Sequence, residues 1–166
     1  MLALESGLCI ATFYNHFTDR DALLLWIHQI GHDAIMESLR KGHIAPTDIL
    51  PSYISYYMAN ATFMKNAFHY TAGENWYGKM CADYSIQSWE EYLLEAHNLT
   101  KLPEQIRFSL EFYCTAFFMM IMKFLNHEWD ITKEVFAARM EACIPSELKA
   151  FISEPTQDIM PPQNKK

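Results

Sequence analysis

Hydrophobic residues recur along the chain at the three- and four-residue spacing of amphipathic helices, and strand-like alternation is absent from the sequence. The first long stretch of this kind runs from about residue 18 to residue 41. Similar patterns predict further helices over about 46–57, 60–70, 74–97, 103–127, 132–142 and 145–152. We therefore expect an all-α fold.

Polar residues mark where several of these helices begin. Thr18 is expected to cap the first long helix, with Asp21 three residues on and Asp19 close to the positive end of the helix dipole. Asn60 and Thr132 are placed to cap two later helices. These positions fix the predicted helix boundaries.

The start of the chain is organised differently, as short pieces around a glycine. Leu2 to Ser6 looks like the end of a helix stopped by Gly7, and Ile10 to Phe17 forms a brief second helix. Two short helices joined by such a turn are typical of a helix-turn-helix. The predicted organisation is a helix-turn-helix remnant over 1–24, a helical domain over 25–152 and a disordered, proline-rich tail over 153–166.

Composition narrows the classes of protein and of partner. Of 166 residues, 51% are hydrophobic and 14% aromatic, which is ample for a buried core. The formal charge of −7 argues against general attraction to nucleic acid. The four cysteines are widely separated and no secretion signal is visible, so free thiols in the cytoplasm are expected. The apolar stretch from Phe112 to Leu125 is too short to span a membrane.

The segment GLCIATFYNHFTDRDAL, residues 7–23, resembles the recognition-helix signature of the TetR family of transcriptional regulators. The stretch over about 49–152 is similar to the carboxyl-terminal domain of a subgroup that includes dihydroxyacetone-kinase regulators. This resemblance implies a TetR-like bundle of about nine helices that binds a DNA operator as a homodimer and a small apolar or amphipathic effector in its core. The signature positions in register are Gly7, Thr12, Phe13, Tyr14, His16, Phe17, Arg20 and Leu23.

The resemblance implies a DNA-contacting surface, with departures from the family pattern. Cys9 stands where the family has serine or threonine, and a thiol caps a helix poorly. Ile10 and Ala11 cannot donate bidentate hydrogen bonds to guanine. The family has further helices before the glycine turn, whereas six residues precede Gly7 in this sequence. Residues 1–20 also carry a net charge of −1, so DNA affinity should be weak. The implied DNA-contacting residues are Cys9, Ile10, Ala11, Thr12, Tyr14, His16 and Arg20.

Each of these roles has an ordinary alternative. Thr12 and Tyr14 would contact phosphate oxygens by resemblance, or simply lie on an amphipathic turn. Arg20 would reach phosphate or remain a solvated charge. His16 fits a packing role as well as a contact.

The resemblance also implies an effector pocket and a dimer interface. The helix over 103–127 is apolar all round, so one face is expected against its own core and another against a second subunit; the alternative is a central helix of a monomeric bundle. Any one of the expected pocket residues taken alone is more typical of plain core, and the resemblance implies a pocket only for the set. The set is Trp26, Tyr57, Phe63, Phe68, Trp76, Tyr77 and Phe112. The expected interface residues are Phe117, Met120, Ile121, Phe124, Phe136 and Met140.

Few residues suggest other chemistry. His28 and His32 have a spacing that can hold a metal, but two histidines on an exposed helix are usually solvated, so neither metal nor cofactor is expected. Glu111 is expected at the surface rather than facing a cavity. No nucleophile–base pairing or phosphate-binding glycine loop stands out, so an enzyme is not expected.

Two functions follow from the sequence. The first is a TetR-like regulator whose operator affinity changes when an effector enters the helical core. The alternative is an effector-sensing protein of the same fold that has lost DNA contact and acts through a partner regulator.

Overall fold

The structure is a computed structural model that describes residues 17–154. Its regular secondary structure over that range is helical, which confirms the all-α prediction. The two short helices predicted before residue 17 and the tail after residue 154 lie outside the described residues, and the count of nine helices stays a prediction. The α-helices are α1 (Arg20–Arg40), α2 (Ile49–Ala59), α3 (Ala61–His69), α4 (Tyr77–Ala96), α5 (Glu104–Leu125), α6 (Lys133–Ala142) and α7 (Ser146–Ser153).

The three predicted cap residues have different outcomes. Asn60 lies at the N-cap position of α3, but its side chain makes no capping hydrogen bond and donates to the Tyr56 carbonyl instead. Thr132 caps α6 as predicted, because its hydroxyl accepts a hydrogen bond from the Val135 amide. The expectation that Thr18 caps α1 is wrong. The cap is Asp19, whose extended backbone lets its carboxylate accept from the Ala22 amide at 2.8 Å, and aspartate caps at least as well as threonine.

Helix α5 is the centre of the bundle. It packs along α4 and also contacts α2, α3 and α7, while α1 lies against α4 and α2. By length and composition alone α5 could cross a membrane, but core helices of soluble proteins pass the same test. Its inner side joins the continuous hydrophobic core of the bundle, where Ile121 is fully buried.

The core can be tested with two leucines that differ in burial. Leu93 on α4 is fully buried, whereas Leu99 just after α4 is 39% exposed. We expect Leu93→Ala to lower the free energy of unfolding by about 2–5 kcal/mol, because truncation leaves a cavity. Leu99→Ala should cost less than about 1 kcal/mol. Urea unfolding followed by circular dichroism measures both, and equal losses would contradict the assigned packing.

Candidate functional site

An apolar pocket of about 120 Å³ opens between α2, α4, α5, α6 and α7. A cavity of this order holds a benzene-sized molecule. Exposed residues at its mouth are Pro46, Thr47, Glu141, Lys149 and Ser153. Its deeper wall consists of buried side chains, namely Ile49, Leu50, Tyr53, Ser85, Trp89, Leu110, Cys114, Phe117, Phe118 and Leu148.

Helical spacing places these side chains on one wall. Ser85 and Trp89 are one turn apart on α4, and Leu110, Cys114 and Phe117 follow the same side of α5. The aromatic and aliphatic side chains leave two buried hydroxyl groups in the pocket wall, those of Ser85 and Tyr53. The pocket thus combines an apolar interior with a localised polar patch.

Charge is confined to the mouth of the pocket. There Lys149 Nζ lies 2.9 Å from Glu141 Oε1, and both side chains are about half exposed. Deeper in the wall, burial raises the pKa of the Cys114 thiol to about 12 and raises that of Tyr53 well above its ordinary value. These groups are therefore neutral at physiological pH.

The polar patch is connected to two buried histidines of α1. The Tyr53 hydroxyl lies 2.8 Å from His32 Nδ1, and the Tyr57 hydroxyl lies 3.0 Å from His28 Nδ1. Ser85 Oγ lies 3.3 Å from both His28 Nε2 and His32 Nδ1. Residues of α2 and α4 thereby hold α1 through hydrogen bonds inside the core.

Both histidines are neutral at physiological pH. Burial, with a smaller contribution from neighbouring His32, lowers the pKa of His28 to about 3. Burial, followed by the charge of Arg40, lowers the pKa of His32 to about 4. The expectation that these histidines are solvated is wrong, since their exposed fractions are 1% and 0%.

One atom of this network is left without a partner. His32 Nε2 is buried and makes no hydrogen bond with any described residue. Ser85 Oγ is shared between two ring nitrogens, and both separations are long for a hydrogen bond. The Ser85 hydroxyl is therefore held loosely.

This arrangement suits hydrogen bonding better than proton transfer. A serine beside a histidine can form a nucleophile–base pair, but a histidine with a pKa of about 3 is a poor acceptor for the serine proton at neutral pH. The Tyr57 hydroxyl occupies the position where such a pair would need a carboxylate to stabilise the imidazolium. The site can therefore bind a ligand through neutral hydrogen bonds.

The residues expected to form the effector pocket lie elsewhere. Trp26 and Phe112 are on the surface, 47% and 59% exposed. Tyr57 is fully buried behind the pocket wall, where its hydroxyl meets His28. The remaining four form an aromatic cluster between α3 and the start of α4, namely Phe63, Phe68, Trp76 and Tyr77.

The residues expected at a dimer interface lie mostly within the chain's own core. Met120 is 39% exposed. A side chain packed inside one chain has almost no surface left for a second copy, so an interface on α5 would use its other face. The buried members are Phe117, Ile121, Phe124, Phe136 and Met140.

Of the residues expected to contact DNA, the structure describes Arg20. Its guanidinium is exposed at the start of α1 and pairs with Asp21 at 3.0 Å. The others lie outside the described residues and stay predictions. They are Cys9, Ile10, Ala11, Thr12, Tyr14 and His16.

Other predicted groups can be placed directly. Glu111 is at the surface as predicted and pairs with Arg107 at 3.1 Å. Cys81, Cys114 and Cys143 are free thiols, as expected. Between residues 17 and 154 no group of three or more metal-binding side chains comes together.

The polar patch has a signal in the sequence, but the many aromatic residues draw attention to other positions. Ser85 shares the buried side of α4 with Cys81, Ala82 and Trp89 and with a second serine, Ser88, so the pattern marks a polar position in a largely apolar row without singling out Ser85. Tyr53 pairs with His32 and Tyr57 pairs with His28 between two helices. Such contacts between helices are not revealed by the spacing of residues along either one.

The histidines predict a specific pH dependence of stability. Unfolded histidines bind protons near pH 6.5, whereas the folded pKa values are about 3 and about 4, so unfolding takes up protons and stability falls as the pH drops from 6.5 towards 4. Replacing His32 by leucine should remove about one proton from this uptake. The slope of the free energy of unfolding against pH should then fall by about 1.4 kcal/mol per pH unit.

Urea unfolding between pH 4.5 and pH 6 measures this slope for wild type and variant. His43→Gln is the matched control, because His43 is exposed, and it should leave the slope unchanged. A slope that His32→Leu does not reduce would contradict a neutral, buried His32.

The chain was also compared with known proteins. No family model, curated protein or solved structure matches it.

Proposed function

We propose that this chain is a cytoplasmic, TetR-like transcriptional regulator that binds a small apolar or amphipathic effector and needs no cofactor. The observation that carries the proposal is the apolar pocket whose wall is hydrogen-bonded to α1 through Tyr53 and Ser85. Helix α1 begins at Arg20, within the segment that resembles the recognition-helix signature, and its His32 meets Tyr53 and Ser85 of the pocket wall, so α1 connects the pocket to that segment.

The proposed mechanism is a shift between two positions of α1. A ligand in the pocket touches Tyr53 and Ser85, which also hold His32 and His28. A ligand that favours one arrangement of these bonds favours one orientation of α1. In a dimer the spacing between two recognition helices would change, and half-sites about 34–36 Å apart tolerate little mismatch.

A row of exposed apolar residues on α5 supports a homodimer. Phe108, Phe112 and Met119 follow one side of the helix, 66%, 59% and 40% exposed, with Met120 beside them. Large aromatic side chains grouped on a helix face are unusual on a monomer's surface. A second copy of the chain, packed through the same face, would cover them symmetrically.

The second candidate, a sensor that acts through a partner regulator, is favoured by charge. The net charge is −7, and residues 1–20 contribute no net positive charge. Cys9 and Ile10 also lack the donors that read bases in the major groove.

DNA binding separates the two candidates. We expect the full chain to retain duplexes from a randomised pool in a filter or gel-shift assay at low salt, with affinity falling steeply as salt rises. Tyr14→Phe should weaken binding of all sequences about equally if Tyr14 contacts phosphate.

Tyr70→Phe is the control for that variant, because Tyr70 is an exposed tyrosine far along the chain from the recognition segment. Absence of retained DNA even at about 50 mM salt would reject the regulator and leave the partner-dependent sensor.

The dimer face predicts the effect of a single charge. Phe112→Glu should shift the chain from dimer to monomer in sedimentation velocity, because the symmetric face would bury two uncompensated carboxylates. Met58→Glu is the matched control, since Met58 is 41% exposed on α2 and lies outside this row. A wild-type monomer at micromolar concentration, or a dimer that survives Phe112→Glu, would count against this face.

A further inference from the structure

The pocket wall limits the chemistry of the ligand. Its buried side chains are apolar apart from the hydroxyls of Tyr53 and Ser85 and the thiol of Cys114, all uncharged at neutral pH. The Tyr113 hydroxyl also lines the pocket, but it donates to the Met140 carbonyl at 3.0 Å and is already occupied. A ligand inside the pocket therefore meets one place where a hydrogen bond is available.

That place is the Ser85 hydroxyl. Tyr53 makes a short bond of 2.8 Å to His32, whereas both contacts of Ser85 are 3.3 Å long. A ligand hydroxyl or carbonyl at Ser85 would replace a poor hydrogen bond by a good one. Displacing the Tyr53 bond would instead leave His32 Nδ1 with only its long contact to Ser85, in a ring whose Nε2 already has no partner.

A charged group is disfavoured at the same place. The histidines behind Ser85 are buried and uncharged, so an anion there would lose its hydration without gaining a cation. Within the pocket lining the cation is Lys149, at the mouth, and it is already paired with Glu141 at 2.9 Å. An ammonium group would likewise face no buried carboxylate among the lining residues.

We infer that the effector is a small, uncharged compound with one apolar ring or short chain and a single hydroxyl or carbonyl group, bound with that group at Ser85. This inference rests on the proposed function, because it assigns the ligand class of the same pocket. The cavity of about 120 Å³ fits a single aromatic ring, and a longer substituent would extend towards the mouth.

Calorimetric titration of the full chain with phenol, toluene and sodium benzoate tests the ligand class. These probes share one ring and differ in having a neutral polar group, no polar group or an anion. We expect phenol to bind saturably and more tightly than toluene, and benzoate to bind more weakly than both. The ranking is measured on the wild-type chain and needs no variant to fold.

A serine variant locates the polar contact. Ser85→Ala should weaken phenol binding about two- to tenfold, the range for one neutral hydrogen bond, and leave toluene binding unchanged. Ser88→Ala is the matched control, because Ser88 is a buried serine of the same helix that does not line the pocket. Circular dichroism of each variant verifies the fold.

Each outcome decides between specific possibilities. Tighter binding of benzoate, lost in Lys149→Gln, would overturn the neutral-ligand inference and leave a ligand-binding regulator standing. Failure of all three probes to bind would overturn the inference, while DNA retention in the separate assay would still support a regulator. Saturable phenol binding without DNA retention would support the inference and reject the regulator.

Discussion

Two imidazole rings buried in an apolar bundle need hydrogen-bond partners, and this requirement fixes how α1 lies against α2 and α4. An unpaired polar group costs about 1–3 kcal/mol when buried, so His28 and His32 are stable inside only where Tyr57, Tyr53 and Ser85 meet them. Moving α1 along its axis by one turn would bring one histidine to the other's tyrosine and leave the second histidine without its tyrosine partner. The polar contacts therefore specify a register that apolar packing alone leaves less well defined.

Helix α5 satisfies a different constraint. Its inner side fills the core, with Ile121 and Phe118 almost fully buried, yet its outer side carries Phe108 and Phe112. The helices that pack on α5 cover its inner side and leave this outer row exposed. The exposed apolar row on α5 is the surface on which the proposed second copy would pack.

Much of the fold could be predicted because its signals are local. Cap residues, prolines and the three- to four-residue period place the helices over the described range within a few residues, as the Thr132 cap of α6 illustrates. Thr18 and Asp19 were harder to separate, because both are good cap residues and the choice depends on which one adopts an extended backbone.

The candidate site was less accessible to sequence reasoning because it depends on which side of each helix faces inward. Trp26 follows the apolar period of α1 but is exposed, whereas His28 and His32, polar by type, take the inner side. Phe112 and Phe117 differ in the same way on α5. Aromatic character predicts a tendency to be buried and does not say which helix face meets the pocket.

The small free energy of a neutral hydrogen bond limits how strongly a ligand in the pocket can shift α1 in the proposed mechanism. Ser85 belongs to both the pocket wall and the histidine network, so one hydroxyl links a ligand to α1. Exchanging one neutral hydrogen bond is worth about 0.5–1.5 kcal/mol, whereas coupling between two sites is typically about 1–3 kcal/mol. A coupling free energy of about 3 kcal/mol would therefore need apolar contacts that also differ between the two positions of α1. Tyr53 lines the pocket and its hydroxyl bonds to His32. Its ring also lies 6.3 Å from the Phe117 ring between centroids, so it is placed to add such an apolar contribution.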